Sequence, residues 1–234
     1  MSHKMFRNFS AWINNLFGDS DKLKEIELFR TSCMNGNIEM FDLILSTSNN
    51  DDLINYALVY VYEHGHLDVV ERLLQMHMDP SDVFNLAIRT ACQYNQIDIV
   101  DRLLQDGRVD PSDIDNYAIR IASENGHIAV VDRLLQDGAG RVDPSAKLNY
   151  SIREAAQNGH IAVVDRLLQD SRVDPVSLLY YAFRRAARNE FYDVVDLLLQ
   201  YTTPAKIKKL ATFFSLRNTS ELVPFFIKNQ TIID

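Results

Sequence analysis

The chain has 234 residues, 24 basic and 32 acidic, for a net charge of −8. An acidic body excludes nucleic-acid partners, because phosphate-backbone binding needs clustered Lys and Arg. Two cysteines, Cys33 and Cys92, exclude a disulfide framework and point to a reducing compartment.

The charge is uneven: +2 over residues 1–18, −13 over 19–200 and +3 over 201–234. No apolar run approaches the roughly 20 residues of a membrane span, and no signal-peptide pattern opens the chain. In chain order, the first predicted element lies in residues 1–23. Met5, Phe6, Phe9, Trp12, Ile13, Leu16 and Phe17 form a stripe at helical spacing. Such an amphipathic helix has three open roles. It can cap the next element, lie on a membrane surface, or dock in a partner's groove; Phe6, Phe9, Trp12, Ile13, Leu16 and Phe17 would carry the last two. Two basic residues, Lys4 and Arg7, add little attraction to anionic lipid.

The next region, 24–209, repeats itself. NGHIAVVDRLLQD occurs at Asn125–Asp137 and again at Asn158–Asp170. Looser copies start at Asn35, His64, Tyr94 and Asn189. The apolar residue opening each second segment is Ile38, Leu67, Ile97, Ile128, Ile161 and Tyr192, in steps of 29, 30, 31, 33 and 31 residues. A period near 31 means a stacked array of about six supersecondary elements. Within one of them, HIAVVDRLLQ puts Ile128, Val131, Leu134 and Leu135 on one helical face. NYAIRIAS is a shorter helix, with Asp115 or Asn116 as its N-cap. Asn125-Gly126 closes it, and DGRVDPS is a returning loop with Asp-Pro turn chemistry.

This order of short helix, NGH, VV-x-x-LL helix and G-x-V-D loop resembles the ankyrin repeat. The resemblance covers roughly residues 25–200. The family's Thr-Pro-Leu-His opening is replaced by Tyr117-Ala118-Ile119-Arg120 and its counterparts, and the loop from Gly107 to Tyr117 is about two residues short. The repeats are similar to the divergent arrays of giant DNA viruses, which implies blunt loops and a cytoplasmic place of action, a host cell's cytoplasm included. The fold expected is an all-α, ankyrin-like helix-turn-helix solenoid with helical caps. The rival helix-pair repeat, tetratricopeptide, has a 34-residue period and an in-repeat tryptophan; Trp12 lies outside these repeats.

Columns that recur face the same stacking problem; columns that vary are free for a partner. Arg30, Arg89, Arg120, Arg153 and Arg184 recur, as do Glu71, Asp101, Asp132, Asp165 and Asp196, which predicts a ladder of Arg–Asp contacts. His66, His127 and His160 recur one per repeat and so cannot converge on a metal; the resemblance gives them a turn-supporting role. No phosphate loop, nucleophile elbow or paired-carboxylate motif is present, so neither catalysis nor a cofactor is expected. The varying positions are Thr31, Tyr60, Thr90, Ile121, Glu154 and Arg185, then Met34, Glu63, Gln93, Glu124, Gln157 and Arg188 three residues on, closed by His64, Tyr94, Asn125, Asn158 and Asn189. The resemblance places the end of the first helix in a concave groove where an unidentified partner protein binds.

The last element, 210–234, reads as a worn capping repeat. Phe213, Phe214, Leu216, Leu222, Val223, Phe225, Phe226 and Ile227 are more apolar side chains than one covered face needs. Burial on the preceding repeat is the expectation, with self-association as the alternative.

Overall fold

Each described helix pair pivots on one residue in the left-handed region. That residue is Gly36, Gly65, Asn95, Gly126, Gly159 or Glu190, with φ of 65, 81, 59, 76, 76 and 63°. Glycine adopts this conformation freely and asparagine tolerates it. The turn then closes with one recurring bond: Asn37 N–H to Ser32 O at 2.9 Å, His127 N–H to Ala122 O at 2.9 Å, and His160 N–H to Ala155 O at 2.9 Å. This satisfies carbonyls at the first helix's end and aims the chain back along it.

The computed structural model describes residues 20–47, 59–75, 80–137, 140–173 and 175–201. All regular structure there is helical: α1 Ser20–Asn35, α2 Ile38–Thr47, α3 Leu67–Gln75, α4 Pro80–Gln93, α5 Ile97–Leu104, α6 Asp113–Glu124, α7 Ile128–Leu135, α8 Ala146–Gln157, α9 Ile161–Leu168, α10 Pro175–Arg188 and α11 Tyr192–Gln200. Residues 59–64 are helical as well and precede α3. No strand occurs among the described residues, so the loops there are blunt, without hairpin fingers. No described helix is long and apolar enough to cross a membrane. The stripe from Phe6 to Phe17 and the apolar 210–234 stretch lie outside the described residues. Helix α1 runs through the boundary expected at 23/24.

The chain divides into two compact units, Met1–Leu103 and Leu104–Asp234. In the first, α1 packs on α2 and α2 on α3. Phe29 and Phe41 stack at 5.3 Å, and Val61, Tyr62, Val69, Val70, Leu73, Ile88 and Val100 are buried with them. In the second, first helices line up α6–α8–α10 and second helices α7–α9–α11, each pair also packing internally. The small side chains Ala118, Ala122, Ala155, Ala156, Ala182 and Ala186 are buried on these first helices; small side chains let helix axes approach closely. One expectation is corrected here. Ile128 and Ile161 are 38% and 44% exposed, and Val130 and Val163 are buried in their place. The second helix begins at Ile128, so its first residue sits at the open end of the packed stripe.

The loops stack too. Val109, Val142 and Val173 are buried at 1–2% exposure. Arg141 donates to Val109 O at 2.7 Å and Arg172 to Val142 O at 2.6 Å, each reaching one loop back. The same guanidiniums pair with Asp137 at 2.9 Å and Asp170 at 2.7 Å. Asp110 and Asp143 fold their loops by accepting from Ser112 and Ser145 backbone N–H at 2.9 and 2.8 Å, the Asx-turn chemistry read from Asp-Pro-Ser. Asn116 does not cap its own helix. It ends a left-handed stretch, Ile114–Asn116, and its buried side chain accepts from the Asp143 N–H at 2.7 Å.

The arginines Arg141 and Arg172 hold the Asp137 and Asp170 carboxyls below their usual range. A depressed folded pKa contributes stability that is present above the unfolded value, near ~3.9, and lost as pH falls through the folded one. The variant Arg141→Gln/Arg172→Gln should therefore show a flatter fall of Tm between neutral and acid pH than the native chain. Parallel curves would mean these pairs carry no linkage.

Cys33 and Cys92 are buried side chains of the core. Burial pushes the Cys33 thiol up to about 12 and the Cys92 thiol up as well. Neither thiolate forms near neutrality. A thiol reagent at mildly alkaline pH should label no cysteine in the folded chain and both after denaturation; rapid native labelling would contradict this burial.

Candidate functional site

Within each unit, recurring side chains stitch a repeat to the one before. His66 Nε2 meets Met34 O at 2.6 Å, Gln96 Nε2 donates to Glu63 O at 2.8 Å, and His160 Nε2 meets Glu124 O at 3.0 Å. Each ring or amide lies against the preceding left-handed glycine. A Cβ on Gly36 would come within 2.5 Å of His66, on Gly65 within 2.3 Å of Gln96, and on Gly126 within 2.5 Å of His160. Phe191 fills the same place against Gly159. His66 and His160 are therefore inter-repeat packing. Among the described residues no group of three or more His, Cys, Asp or Glu could hold a metal ion.

The predicted Arg–Asp ladder is corrected. Two members of the acidic column pair with a different arginine, on the next second helix, Glu71 with Arg102 at 2.6 Å and Asp132 with Arg166 at 2.5 Å, and Asp42, at the matching place of the worn first copy, pairs with Arg72 at 2.8 Å. These half-exposed pairs contribute about 0–1 kcal/mol each. The first-helix arginines instead lie over tyrosines. Arg30 Cζ is 5.6 Å from the Tyr60 ring centroid, Arg120 5.0 Å from Tyr150, and Arg153 3.9 Å from Tyr181. In all three the ring belongs to the following repeat. Arg30 also pairs with Glu27 in its own helix. The misreading has a plain cause: opposite charges suggested partners, but these carboxylates meet arginines of the neighbouring second helix. The Tyr-x-x-Arg spacing at Tyr117, Tyr150 and Tyr181 was the available signal for the stacked pairs.

The varying positions separate into exposed and structural members. Tyr60, Glu63, Gln93, Ile121, Glu124, Glu154, Gln157 and Arg185 are half-buried, and His64, Tyr94, Asn125, Asn158 and Arg188 are exposed. Thr90 is corrected: at 6% exposure it belongs to the packed side of α4 and cannot meet a partner. Asn158 Nδ2 donates to Glu124 O at 2.8 Å, and Asn189 Nδ2 donates to Gln157 O at 2.7 Å. This column also clamps neighbouring first helices. His64 Nδ1 meets Tyr60 O at 2.9 Å in its own helix.

In the second unit the remaining members form a continuous face on α6, α8 and α10. Tyr150 donates its hydroxyl to the Glu124 carboxylate at 3.2 Å. Glu154 stands beside them, its carboxyl raised above the usual range by burial and then by the Glu124 charge. Arg185 donates to the Tyr181 hydroxyl at 2.7 Å, and Arg188 extends the basic end. Along this face the charge runs from carboxylates to guanidiniums. A shallow pocket of about 230 Å³ lies elsewhere, at the α9 and α11 starts, lined by Ile161, Glu190, Phe191 and Tyr192.

A family model described as ankyrin repeats in three copies matches residues 28–116 and 88–178, more than half of the chain. No curated protein matches the sequence.

Proposed function

Because the chain belongs to the ankyrin-repeat family, whose repeats are protein-interaction modules, we propose that it holds a partner protein along its first-helix face. In the family this face lines the concave side. The chain then works as a scaffold or adaptor, in the cytoplasm, and not as a catalyst. One observation carries the reading. Turn, packing and clamp columns repeat, while the half-buried and exposed side chains of the first helices change from repeat to repeat: Ile121, Glu154 and Arg185, then Glu124, Gln157 and Arg188. Stacking alone gives no reason for that variety, since every repeat faces the same neighbours.

Reversing charge at three of these positions, Glu124→Lys, Glu154→Lys and Arg188→Glu, should weaken partner capture at least about tenfold. The helical signal should stay intact, because none of the three fills the core. A folded triple variant that captures its partners undiminished would remove the first-helix face from consideration.

The N-terminal stripe offers a second arrangement, in which Phe6 to Phe17 rest on a lipid surface and the repeats carry cargo. Co-sedimentation with liposomes, with and without residues 1–18, separates the two.

A further inference from the structure

The basic end of the first-helix face gathers cations that form no ion pair among the described residues. Arg153, from α8, places its Cζ 3.9 Å from the centroid of the Tyr181 ring. Arg185, one turn beyond Tyr181 on α10, places its own at 5.0 Å. The Nε–H groups of both arginines are buried with no acceptor. Among the described residues neither forms an ion pair with a carboxylate, and Glu154 acts on both only through its charge, whereas Arg72, Arg102, Arg141, Arg166 and Arg172 each hold a carboxylate directly. Arg188 follows Arg185 at the next turn and is exposed.

Buried guanidinium donors without acceptors are costly, and a second charge nearby raises the cost. The Tyr181 hydroxyl registers this field: Arg153, with Arg185 behind it, holds it below the ordinary phenol range. In a chain of net charge −8 such a cluster stands apart from its surroundings. Its neighbours toward α6 are of opposite sign. Among the described residues Glu124 has only the Tyr150 hydroxyl on its carboxylate, and Glu154 has no hydrogen bond to its own.

We propose that Arg153, Arg185 and Arg188 form an anion subsite over Tyr181, filled by an aspartate or glutamate side chain of a partner protein segment. The same segment carries a lysine or arginine toward Glu124 and Glu154. This rests on the first-helix face being the partner surface. A guanidinium fork takes a carboxylate through two parallel N–H donors, and the tyrosine ring backs the plane of the guanidinium. A carboxylate suits the site better than a phosphate. Glu154 lies within the field of both Arg153 and Arg185, so a second negative charge would face it.

The test uses the full chain and a display library of random dodecapeptides. Enriched peptides should combine an acidic residue with a basic one. Their affinity should fall at least about tenfold with Arg185→Gln and with Arg188→Glu; the latter changes an exposed side chain, so folding is not at issue. Gln157→Trp, a bulky block on the middle of the same face, reads the surface itself. Peptides weakened by Gln157→Trp but indifferent to both arginine changes would overturn the anion subsite and leave the face standing. Peptides indifferent to all three, or no enrichment at all, would overturn both. A phosphoserine version that binds more tightly than its glutamate counterpart would overturn the choice of carboxylate.

Discussion

Replacing Gly126 by alanine should destabilise the second unit by about 2–3 kcal/mol. Two causes add. At φ +76° an L-residue loses roughly 1–2 kcal/mol against glycine. The new Cβ would also stand 2.5 Å from Nδ1, 2.7 Å from Cε1 and 2.8 Å from Cγ of His160. The ring has little freedom to retreat, because its far nitrogen is bonded to Glu124 O at 3.0 Å. Relief requires breaking that bond and uncovering the end of α6. Thermal unfolding followed by circular dichroism measures the loss, and an unchanged Tm would refute the packing described. Gly107→Ala is the control, with nothing within 4 Å of its Cβ and an expected change within about 0.5 kcal/mol. Adding His160→Ala to Gly126→Ala should recover the clash but not the backbone cost, so the two changes should be non-additive. The converse holds at Glu190, which occupies the same turn at φ 63°. Glu190→Gly should gain about 1 kcal/mol.

Leu134→Ala and Leu167→Ala should each cost about 2–5 kcal/mol, and the two costs should agree closely. Both leucines are fully buried. Both sit in the helix IAVVDRLL, which occurs as α7 and again as α9. Loss of three carbons from a packed site removes transfer energy and leaves a cavity that neighbours fill only in part. Identical helices packed on like neighbours should relax alike. Ile128→Ala and Ile161→Ala supply the contrast. Those side chains are 38% and 44% exposed, so each should cost well under half as much. Urea unfolding of the four variants decides the matter. Leucine costs that differ by more than about 1 kcal/mol would show that identical sequence has not produced equivalent packing.

The repeat, its two helices and its turn were legible because each rests on spacing along the chain. Period, apolar stripe and Asn-Gly are local signals, and the family they resemble is the one that matches. What could not be read was which column faces which. Ile128 looked like core because it continues the stripe, but a stripe does not tell where the neighbouring helix ends. Arg120 and Asp132 looked like partners because charge is visible in sequence and tyrosine stacking is not. Thr90 looked variable and so free, yet a small hydroxyl residue fits a packed position as well as an open one. For the candidate face, the composition of each position was readable. The continuity of Glu124, Tyr150, Glu154, Tyr181 and Arg185 across α6, α8 and α10 was not, because it depends on how helices line up side by side.

The direction of the clamps has a consequence for synthesis. His66, Gln96, His160, Asn158 and Asn189 all reach backward, onto carbonyls of the repeat that precedes them in the chain. Arg141 and Arg172 do the same between loops. A repeat leaving the ribosome therefore lacks its fastenings until the next has followed. Ordering of the nascent chain should trail emergence by one repeat, about 31 residues, the usual step along this sequence.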